Sequence, residues 1–281
     1  MKTTIIQFGG LGNQMFIYAF FYAMSREGHK LKLDASLYNS VKMHNGYELP
    51  YVFNITEDLV NRRGWWIVFL RLLLHFKPNF LLYRDNETYD KEVFRCLKPF
   101  VSGYFQNPFY FDKYREELLV RFAFRNITER NQEIASFMQK QNSVSLHVRR
   151  GDYLKSPSVN GLCTEDYYKE AVIYIKERVD KPYFYIFSND TEWCKTFANN
   201  LNINYTIVKH NTGVDSFQDM FLMSQCKHNI LANSSFSWWG AYLNKHINAI
   251  KIAPSIWNRT YSQEYNKTCT PETWVRLDNF E

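Results

Sequence analysis

Residues 143–152 have the sequence Ser-Val-Ser-Leu-His-Val-Arg-Arg-Gly-Asp, and this stretch decides the fold. Val144, Leu146 and Val148 alternate with other residues in a pattern typical of a buried β-strand. Two arginines, a glycine and a carboxylate follow at the point where that strand should end. In open α/β sheets, ligands bind beyond the carboxyl ends of the strands. The stretch therefore predicts a ligand site at a sheet edge.

Arg149 and Arg150 are suited to hold an anion at this edge. A guanidinium stays charged at any working pH and presents a planar fork of donors to phosphate oxygens. Gly151 allows the backbone to turn sharply and come close to a ligand. A surface loop in which the arginines pair with Asp152 would have the same sequence, and the stretch taken alone favours that simpler structure. The motifs in the rest of the chain favour a ligand site over a surface loop.

The composition predicts a globular protein with one large or two medium domains. The chain has 281 residues, of which 46% are hydrophobic and 18% aromatic, and this excludes a disordered protein. The net charge of +6 suits an anionic small ligand or an acidic membrane surface. No strip of basic residues alternates with aromatics, so we expect no nucleic-acid partner.

Cysteine usage indicates a reducing compartment. The five cysteines are scattered and no Cys-x-x-Cys occurs, so neither a disulfide framework nor a zinc site is predicted. The first residues lead directly into a predicted strand and a glycine loop, unlike a secretory signal. We therefore expect a cytoplasmic protein.

The first 34 residues predict a β-α-β unit, with strands at Thr3–Phe8 and Leu31–Asp34 and a helix at Met15–Arg26. Residues 9–14, Gly-Gly-Leu-Gly-Asn-Gln, are expected to form a loop whose backbone N–H groups can receive an anion or an oxygen. Asp34 has the spacing of a dinucleotide fingerprint, but Met15 stands where that motif needs its third glycine. A nicotinamide or flavin enzyme stays an alternative, and a purely structural glycine turn is favoured over it.

Strands and helices alternate from Ser143 onward, which predicts a parallel sheet covered by helices on both faces. Ala249–Pro254 is expected to be the last strand. The polar residues 139–142 mark a boundary, so we predict two Rossmann-like domains, 1–140 and 141–281.

Trp65–Phe76 is the most hydrophobic run, with Arg62 and Arg63 before it. A membrane span needs roughly twenty apolar residues, so this run is too short. A buried helix is the preferred interpretation. The alternative is a helix in the plane of a membrane surface, with Trp65 and Trp66 at the headgroups. Peripheral contact with the inner membrane therefore stays open.

Three predicted strands of the second half end in polar loops, at residues 149–152, 188–190 and 233–237. The last loop is rich in hydroxyls and precedes a helix, so O–H and N–H groups there could bind phosphate together. The structural alternative is a capped helix start with Trp238 and Trp239 packed in the core. No Asp-x-Asp occurs to hold a divalent metal, so an arginine would have to neutralise a departing diphosphate.

Four motifs, in order along nearly the whole chain, resemble the α-1,2-fucosyltransferases of glycosyltransferase family 11. They are Gly9-Gly10-Leu11-Gly12-Asn13-Gln14-Met15-Phe16, His147-Val148-Arg149-Arg150-Gly151-Asp152-Tyr153, Phe187-Ser188-Asn189-Asp190 and Asn233-Ser234-Ser235-Phe236-Ser237-Trp238-Trp239-Gly240. The resemblance implies a GT-B-type fold with two Rossmann-like domains facing a cleft. It also implies GDP-β-L-fucose as donor, a galactose-terminated glycan as acceptor, inversion at the fucose carbon, and neither metal nor other cofactor. Synthesis of bacterial surface glycans such as O-antigen is the expected role.

The resemblance also assigns site residues. It implies that Arg149 meets the diphosphate, with a donor set of His147, Arg149, Arg150, Asp190, Ser234, Ser235 and Phe236. The first domain is expected to hold the acceptor beside a loop formed by Gly10, Gly12, Asn13 and Gln14, with Asn13 at the reacting hydroxyl. Asn189 stands where a second acid is expected, which leaves the contact made by that loop open.

The reaction needs charge stabilisation and a base. Fucosyl transfer passes through an oxocarbenium-like state while negative charge builds on the nucleotide, and Arg149 is expected to stabilise that charge. Asp152 is the candidate general base, with orientation of Arg149 or Arg150 as its equal alternative. His147 is expected to be structural or to face guanine. A transferase for another GDP-sugar, a nicotinamide oxidoreductase and a non-catalytic sugar-binding protein are the competing functions.

Overall fold

The computed structural model describes residues 2–40, 44–57, 59–85, 89–95, 98–151, 155–159 and 163–279. The chain divides into two compact units, Met1–Asn126 and Ile127–Glu281. Each unit contains one sheet in which all the described strand pairs are parallel. The predicted class, two α/β domains with parallel sheets, is confirmed. Within the described residues, no helix has both the length and the apolar character needed to cross a membrane.

The first unit contains a five-stranded sheet with helices packed on it. Its elements are β1 (Thr3–Ile6), α1 (Leu11–Arg26), β2 (Leu31–Asp34), α2 (Leu49–Phe53), β3 (Leu59–Val60), α3 (Trp65–Phe76), β4 (Leu82–Arg84), β5 (Phe100–Ser102) and α4 (Arg115–Arg121). The strand order is β3-β2-β1-β5-β4, so β1 is central and the chain enters α1 from the middle of the sheet.

Helix α1 begins earlier than the sequence predicted. It starts at Leu11, so Gly12, Asn13 and Gln14 lie in its first turn and the connecting loop is shorter than expected. Gly9 has a φ of +83°, a left-handed conformation that side chains rarely adopt, and Gly10 is the extended N-cap. These two glycines therefore make the turn from β1 into the helix.

The second unit contains a six-stranded sheet in the order β11-β10-β9-β6-β7-β8. Its elements are α5 (Glu129–Lys140), β6 (Ser143–Val148), α6 (Glu165–Lys176), β7 (Tyr183–Ser188), α7 (Thr191–Asn200), β8 (Asn204–Val208), α8 (Phe217–Gln225), β9 (His228–Ile230), α9 (Ser235–Tyr242), β10 (Lys251–Pro254), α10 (Gln263–Thr268) and β11 (Val275–Leu277). All six residues of β6 are buried, as the predicted central strand requires. The expectation that Ala249–Pro254 is the last strand is wrong, because β11 adds to β10 at the sheet edge.

The division between the units lies before α5, whereas the sequence placed the boundary at 140/141. Helix α5 belongs to the second unit, and hydrogen bonds to Gln218 of α8 hold its first turn. The side-chain oxygen of Gln218 accepts bonds from the backbone N–H and hydroxyl of Thr128, both at 2.9 Å, and from Asn131 Nδ2 at 2.6 Å. The polar stretch 139–142 is therefore a turn within the second unit.

Candidate functional site

Strands β9, β6 and β7 are neighbours, so their carboxyl ends meet at one edge of the second sheet. Val148 of β6 lies opposite Ser188 of β7, and Leu146 lies opposite Ile230 of β9. The segments that follow these strands begin with Arg149, Asn189 and Leu231. The three polar loops predicted from the sequence therefore share one edge, where parallel sheets bind ligands.

Arg150 is held by neighbours within the protein. Its Nε donates to Asp190 Oδ2 at 3.2 Å, and its guanidinium lies 4.6 Å from the centre of the Trp193 ring. The other oxygen of Asp190 caps α7 by accepting from the Trp193 N–H. Asp190 is thus the N-cap of α7. The donor-binding roles of Arg150 and Asp190 stay predictions, and their pairing gives both side chains a structural role.

Gly151 makes room for Asn189. A Cβ at Gly151 would lie 2.3 Å from Asn189 Nδ2, while the side-chain oxygen of Asn189 accepts from the Arg150 N–H at 3.2 Å. The close approach that this glycine permits is therefore to the loop after β7. Asp152, the candidate base, lies outside the described residues.

His147 is a neutral side chain inside the sheet edge. Burial lowers the pKa of His147 to about 3, with a smaller contribution from the positive charge of Arg149. Its Nδ1 is buried, and no described residue forms a hydrogen bond with it. The imidazole lies beside Phe236, with ring centres 6.2 Å apart. At neutral pH His147 carries no charge, so it adds no repulsion to the cation beside it.

The start of α9 carries hydroxyls at the same edge. Ser234 is the N-cap, and its Oγ accepts from the Phe236 N–H at 3.3 Å. Ser235 and Phe236 are partly exposed, whereas the Ser237 hydroxyl bonds to backbone carbonyls inside the turn. Trp238 and Trp239 are completely buried, and Trp238 Nε1 donates to the Cys269 carbonyl at 2.8 Å. The capped start and packed tryptophans match the structural alternative, while Ser235 and Phe236 still reach the surface.

In the first unit, Asn13 and Gln14 differ in what they contact. Asn13 is partly exposed, and its Oδ1 accepts from Gln106 Nε2 at 2.8 Å. Gln14 is fully buried. Its Nε2 donates to the carbonyls of Gly9 and Gly46, and its Oε1 accepts from the Glu48 N–H at 2.9 Å. Gln14 therefore fixes the turn and the chain around it, and Asn13 is the polar side chain of this turn that remains accessible.

Comparison with known proteins identifies the family. The family model described as Glycosyl transferase family 11 matches residues 1–278, almost the whole chain. The chain belongs to glycosyltransferase family 11. The α-1,2-colitosyltransferase of Escherichia coli is 38% identical to it over 282 residues, which cover 96% of this chain and 97% of that protein. The O-antigen biosynthesis glycosyltransferase WbnK of Escherichia coli is 30% identical over 308 residues, covering 96% and 98%. Galactoside α-(1,2)-fucosyltransferase 2 of Hylobates lar is 28% identical over 255 residues, covering 85% and 68%.

Asp34 is the residue on which the dinucleotide alternative depended, and its burial and hydrogen bonds agree with membership of family 11. Asp34 is completely buried. Its Oδ1 accepts from the Ser36 N–H at 2.8 Å and its Oδ2 accepts from Trp66 Nε1 at 2.7 Å. Both carboxylate oxygens serve the fold, and the match to family 11 over residues 1–278 shows that the nicotinamide alternative is wrong.

Two contacts of this family 11 chain were not predicted from the sequence. Gln106 lies in the segment after β5, the neighbour of β1, and therefore reaches Asn13. Trp193 stacks on Arg150, three residues after the Asp190 cap. The contact between Gln106 and Asn13 could be predicted only from the strand order. The contact between Trp193 and Arg150 could have been suspected from the position of Trp193, three residues after Asp190. Among the described residues, no group of three or more His, Cys, Asp or Glu is placed to hold a metal ion.

Proposed function

We propose that this enzyme transfers L-fucose from GDP-β-L-fucose to the 2-hydroxyl of a galactoside, with inversion at the transferred carbon. The observation that carries the proposal is the position of Arg149. It follows the central buried strand at the edge that β7 and β9 share, and its charge acts on the buried His147. The start of α9, with partly exposed Ser235, lies at the same edge. This arrangement of a guanidinium and a helix N-terminus suits a diphosphate.

The reaction is a single displacement. The acceptor oxygen forms a bond to the fucose anomeric carbon on one face while the bond from that carbon to the β-phosphate oxygen breaks on the other. The electron pair of the broken bond leaves with GDP, and the Arg149 guanidinium stabilises the charge that builds there. The acceptor hydroxyl gives its proton to a general base, for which Asp152 is the proposed residue. Attack from the opposite face converts the β-linked donor into an α-linked product.

The two domains have separate roles in this proposal. The second domain binds GDP-fucose through Arg149, His147, Ser234, Ser235 and Phe236. The first domain binds the acceptor, with Asn13 beside the reacting hydroxyl. The partial exposure of Asn13 and its bond to Gln106 support that role, because Gln106 holds the amide in one orientation.

The 38% identity to an α-1,2-colitosyltransferase supports GDP-colitose as an alternative donor. Colitose is fucose without the 3-hydroxyl. A site that hydrogen-bonds a substrate hydroxyl rejects the analogue lacking it by about 10⁴–10⁵-fold, whereas a pocket that merely tolerates the hydroxyl discriminates by only about 10²-fold. The ratio of kcat/KM for the two donors therefore distinguishes the two proposals.

The test is a panel of GDP-fucose, GDP-colitose, GDP-mannose and UDP-galactose with galactose-terminated acceptors. Released nucleotide and the linkage of the product are measured. We expect GDP-fucose to give an α-1,2-linked product at the highest rate. A preference for GDP-colitose by more than about 10²-fold would replace fucose with colitose, and turnover only with a UDP-sugar would overturn the proposal.

We further propose that the enzyme works in the cytoplasm, on bacterial surface glycans such as O-antigen, in peripheral contact with the inner membrane. The similarity to an O-antigen glycosyltransferase supports this role. Fractionation of cells tests the location, with release by salt or carbonate as the expected result. Release only by detergent would contradict a peripheral contact.

A further inference from the structure

Helix α3 is apolar on two opposite faces. Ile67, Leu70 and Leu73 point into a cluster with Ile6 of β1 and Leu82 of β4. On the other face Trp65, Val68, Leu72 and Phe76 are exposed, at spacings that place them in one stripe along the helix. Trp65 is 71% exposed and Phe76 is 72% exposed. A helix that needed only to cover the sheet would have polar residues on this outer face.

Trp66 does not belong to the exposed stripe, which corrects the expectation that both tryptophans would lie at the headgroups. Its ring is half-buried, and Nε1 donates to the buried Asp34 at 2.7 Å. Trp65 is therefore the tryptophan that faces outward. The bond from Trp66 to Asp34 fixes α3 on the sheet, so the exposed stripe has a defined orientation.

The segment that contains the stripe is positively charged. Residues 59–84 contain five cations and no Asp or Glu: Arg62, Arg63, Arg71, Lys77 and Arg84. All five are exposed. Arg62 stacks on the Trp66 ring at 4.7 Å and Arg71 donates to the Ser40 hydroxyl at 3.2 Å. Neither of these contacts neutralises a cation, so the segment keeps its positive charge.

We propose that the outer face of α3, formed by Trp65, Val68, Leu72 and Phe76, docks on an anionic lipid bilayer with the help of exposed cations from the same segment. The inference deepens the peripheral membrane contact of the proposed function and rests on that part of it alone. Aromatic and aliphatic side chains on one helix face enter the boundary between headgroups and acyl chains, while Lys and Arg bind anionic headgroups. Charge complementarity indicates the partner, because the segment that carries this face, residues 59–84, has five exposed cations and no Asp or Glu, which suits a negatively charged surface.

The experiment measures flotation of the purified full-length protein with vesicles. Vesicles of phosphatidylglycerol and phosphatidylethanolamine are compared with vesicles of phosphatidylcholine alone. We expect binding to the anionic vesicles to be at least tenfold stronger and to weaken in 0.5 M NaCl, because anionic lipid attracts each nearby cation. Equal binding to both vesicles, or none to either, would overturn the proposal.

Matched variants locate the surface. The double variant Trp65→Ser/Phe76→Ser should lower the vesicle partition coefficient at least tenfold, because two large aromatic surfaces are lost. Arg63→Gln should lower it about fivefold. Phe137→Ser and Lys245→Gln, which change an exposed aromatic and an exposed cation of the second unit, should leave it unchanged. Equal losses in the control variants would overturn the assignment to α3.

Two further readouts separate the possible explanations. Transfer to a small soluble galactoside should be unchanged in Trp65→Ser/Phe76→Ser, so loss of docking is distinguishable from failure of the proposed chemistry. The oligomeric state should also be unchanged. If the double variant turned a dimer into a monomer and kept its vesicle binding, the face would be an interface between copies of this chain and the proposal would be wrong.

Discussion

Replacing Arg149 tests whether this side chain neutralises the departing diphosphate. Arg149 follows a completely buried strand, and its charge is felt by a buried histidine, so it acts where water screens charge weakly. Loss of one preorganised charge-stabilising donor lowers kcat by about 10²–10³-fold, or about 2.7–4 kcal/mol. We expect Arg149→Ala to show this loss. Arg149→Lys should be nearly as slow, because an ammonium lacks the planar fork of donors. The charge develops in the transition state, so kcat should fall far more than the affinity for GDP-fucose.

Arg150→Ala is the matched control, since the neighbouring arginine is paired with Asp190 and stacked on Trp193. We expect a loss of stability of about 1 kcal/mol and a much smaller loss of kcat, because these contacts are partly exposed.

The pKa of His147 gives a second readout of the Arg149 replacement. In Arg149→Ala it should rise and stay below its ordinary value of 6.5, because burial is the larger cause of its lowering. Steady-state kinetics, calorimetry of GDP-fucose binding and NMR titration measure the three effects. A folded Arg149→Ala protein with near-normal turnover would refute the proposed mechanism.

Three further predictions concern the fold and the chemistry. Gln14→Ala should lower the free energy of unfolding by about 2–4 kcal/mol in urea titrations, because it removes the bonds to the part-buried Gly46 carbonyl and the buried Glu48 N–H. Unchanged stability with a raised KM for the acceptor would instead make Gln14 a binding residue. Burial raises the pKa of Asp219 from 3.8 to about 7, so the native state binds more protons in this window and stability falls as pH rises through it. In Asp219→Asn that slope, measured by unfolding at several pH values, should disappear; an unchanged slope would place its origin in another group. Transfer should persist in excess EDTA, and loss of activity restored by Mn²⁺ or Mg²⁺ would contradict a metal-independent reaction.

The sequence predicted well those elements whose signals are local. Leu31–Asp34 was predicted with its observed bounds, because two leucines alternate with polar residues in this short strand. Trp65–Phe76 was also predicted with its observed bounds, since the run ends before Pro78. The family assignment depended on motifs at strand ends, and the match over residues 1–278 confirms it.

Pairwise geometry could not be predicted in the same way. Whether Arg150 binds a ligand or an internal acid depends on the distance to Asp190 across two strands, and nothing in the sequence around Arg150 sets that distance. The contacts of Gln14 were equally impossible to predict from the residues around it. The family resemblance assigned Gln14 to an acceptor-side loop, whereas the helix start at Leu11 turns it inward. Burial of a polar side chain depends on which segments surround it, and those segments are distant in sequence.

The bond from Trp66 to Asp34 has a consequence for how this enzyme could diverge. The Asp34 carbonyl accepts from the Gln7 N–H at 2.8 Å, so the inner face of α3 is linked through Asp34 to the residue that follows β1. Substitutions on that inner face would disturb the turn that leads to Asn13. Substitutions at Trp65, Leu72 or Phe76 meet no such constraint, because these side chains are exposed. The outer face of α3 can therefore change in sequence while the packing of the helix and the turn before Asn13 stay the same.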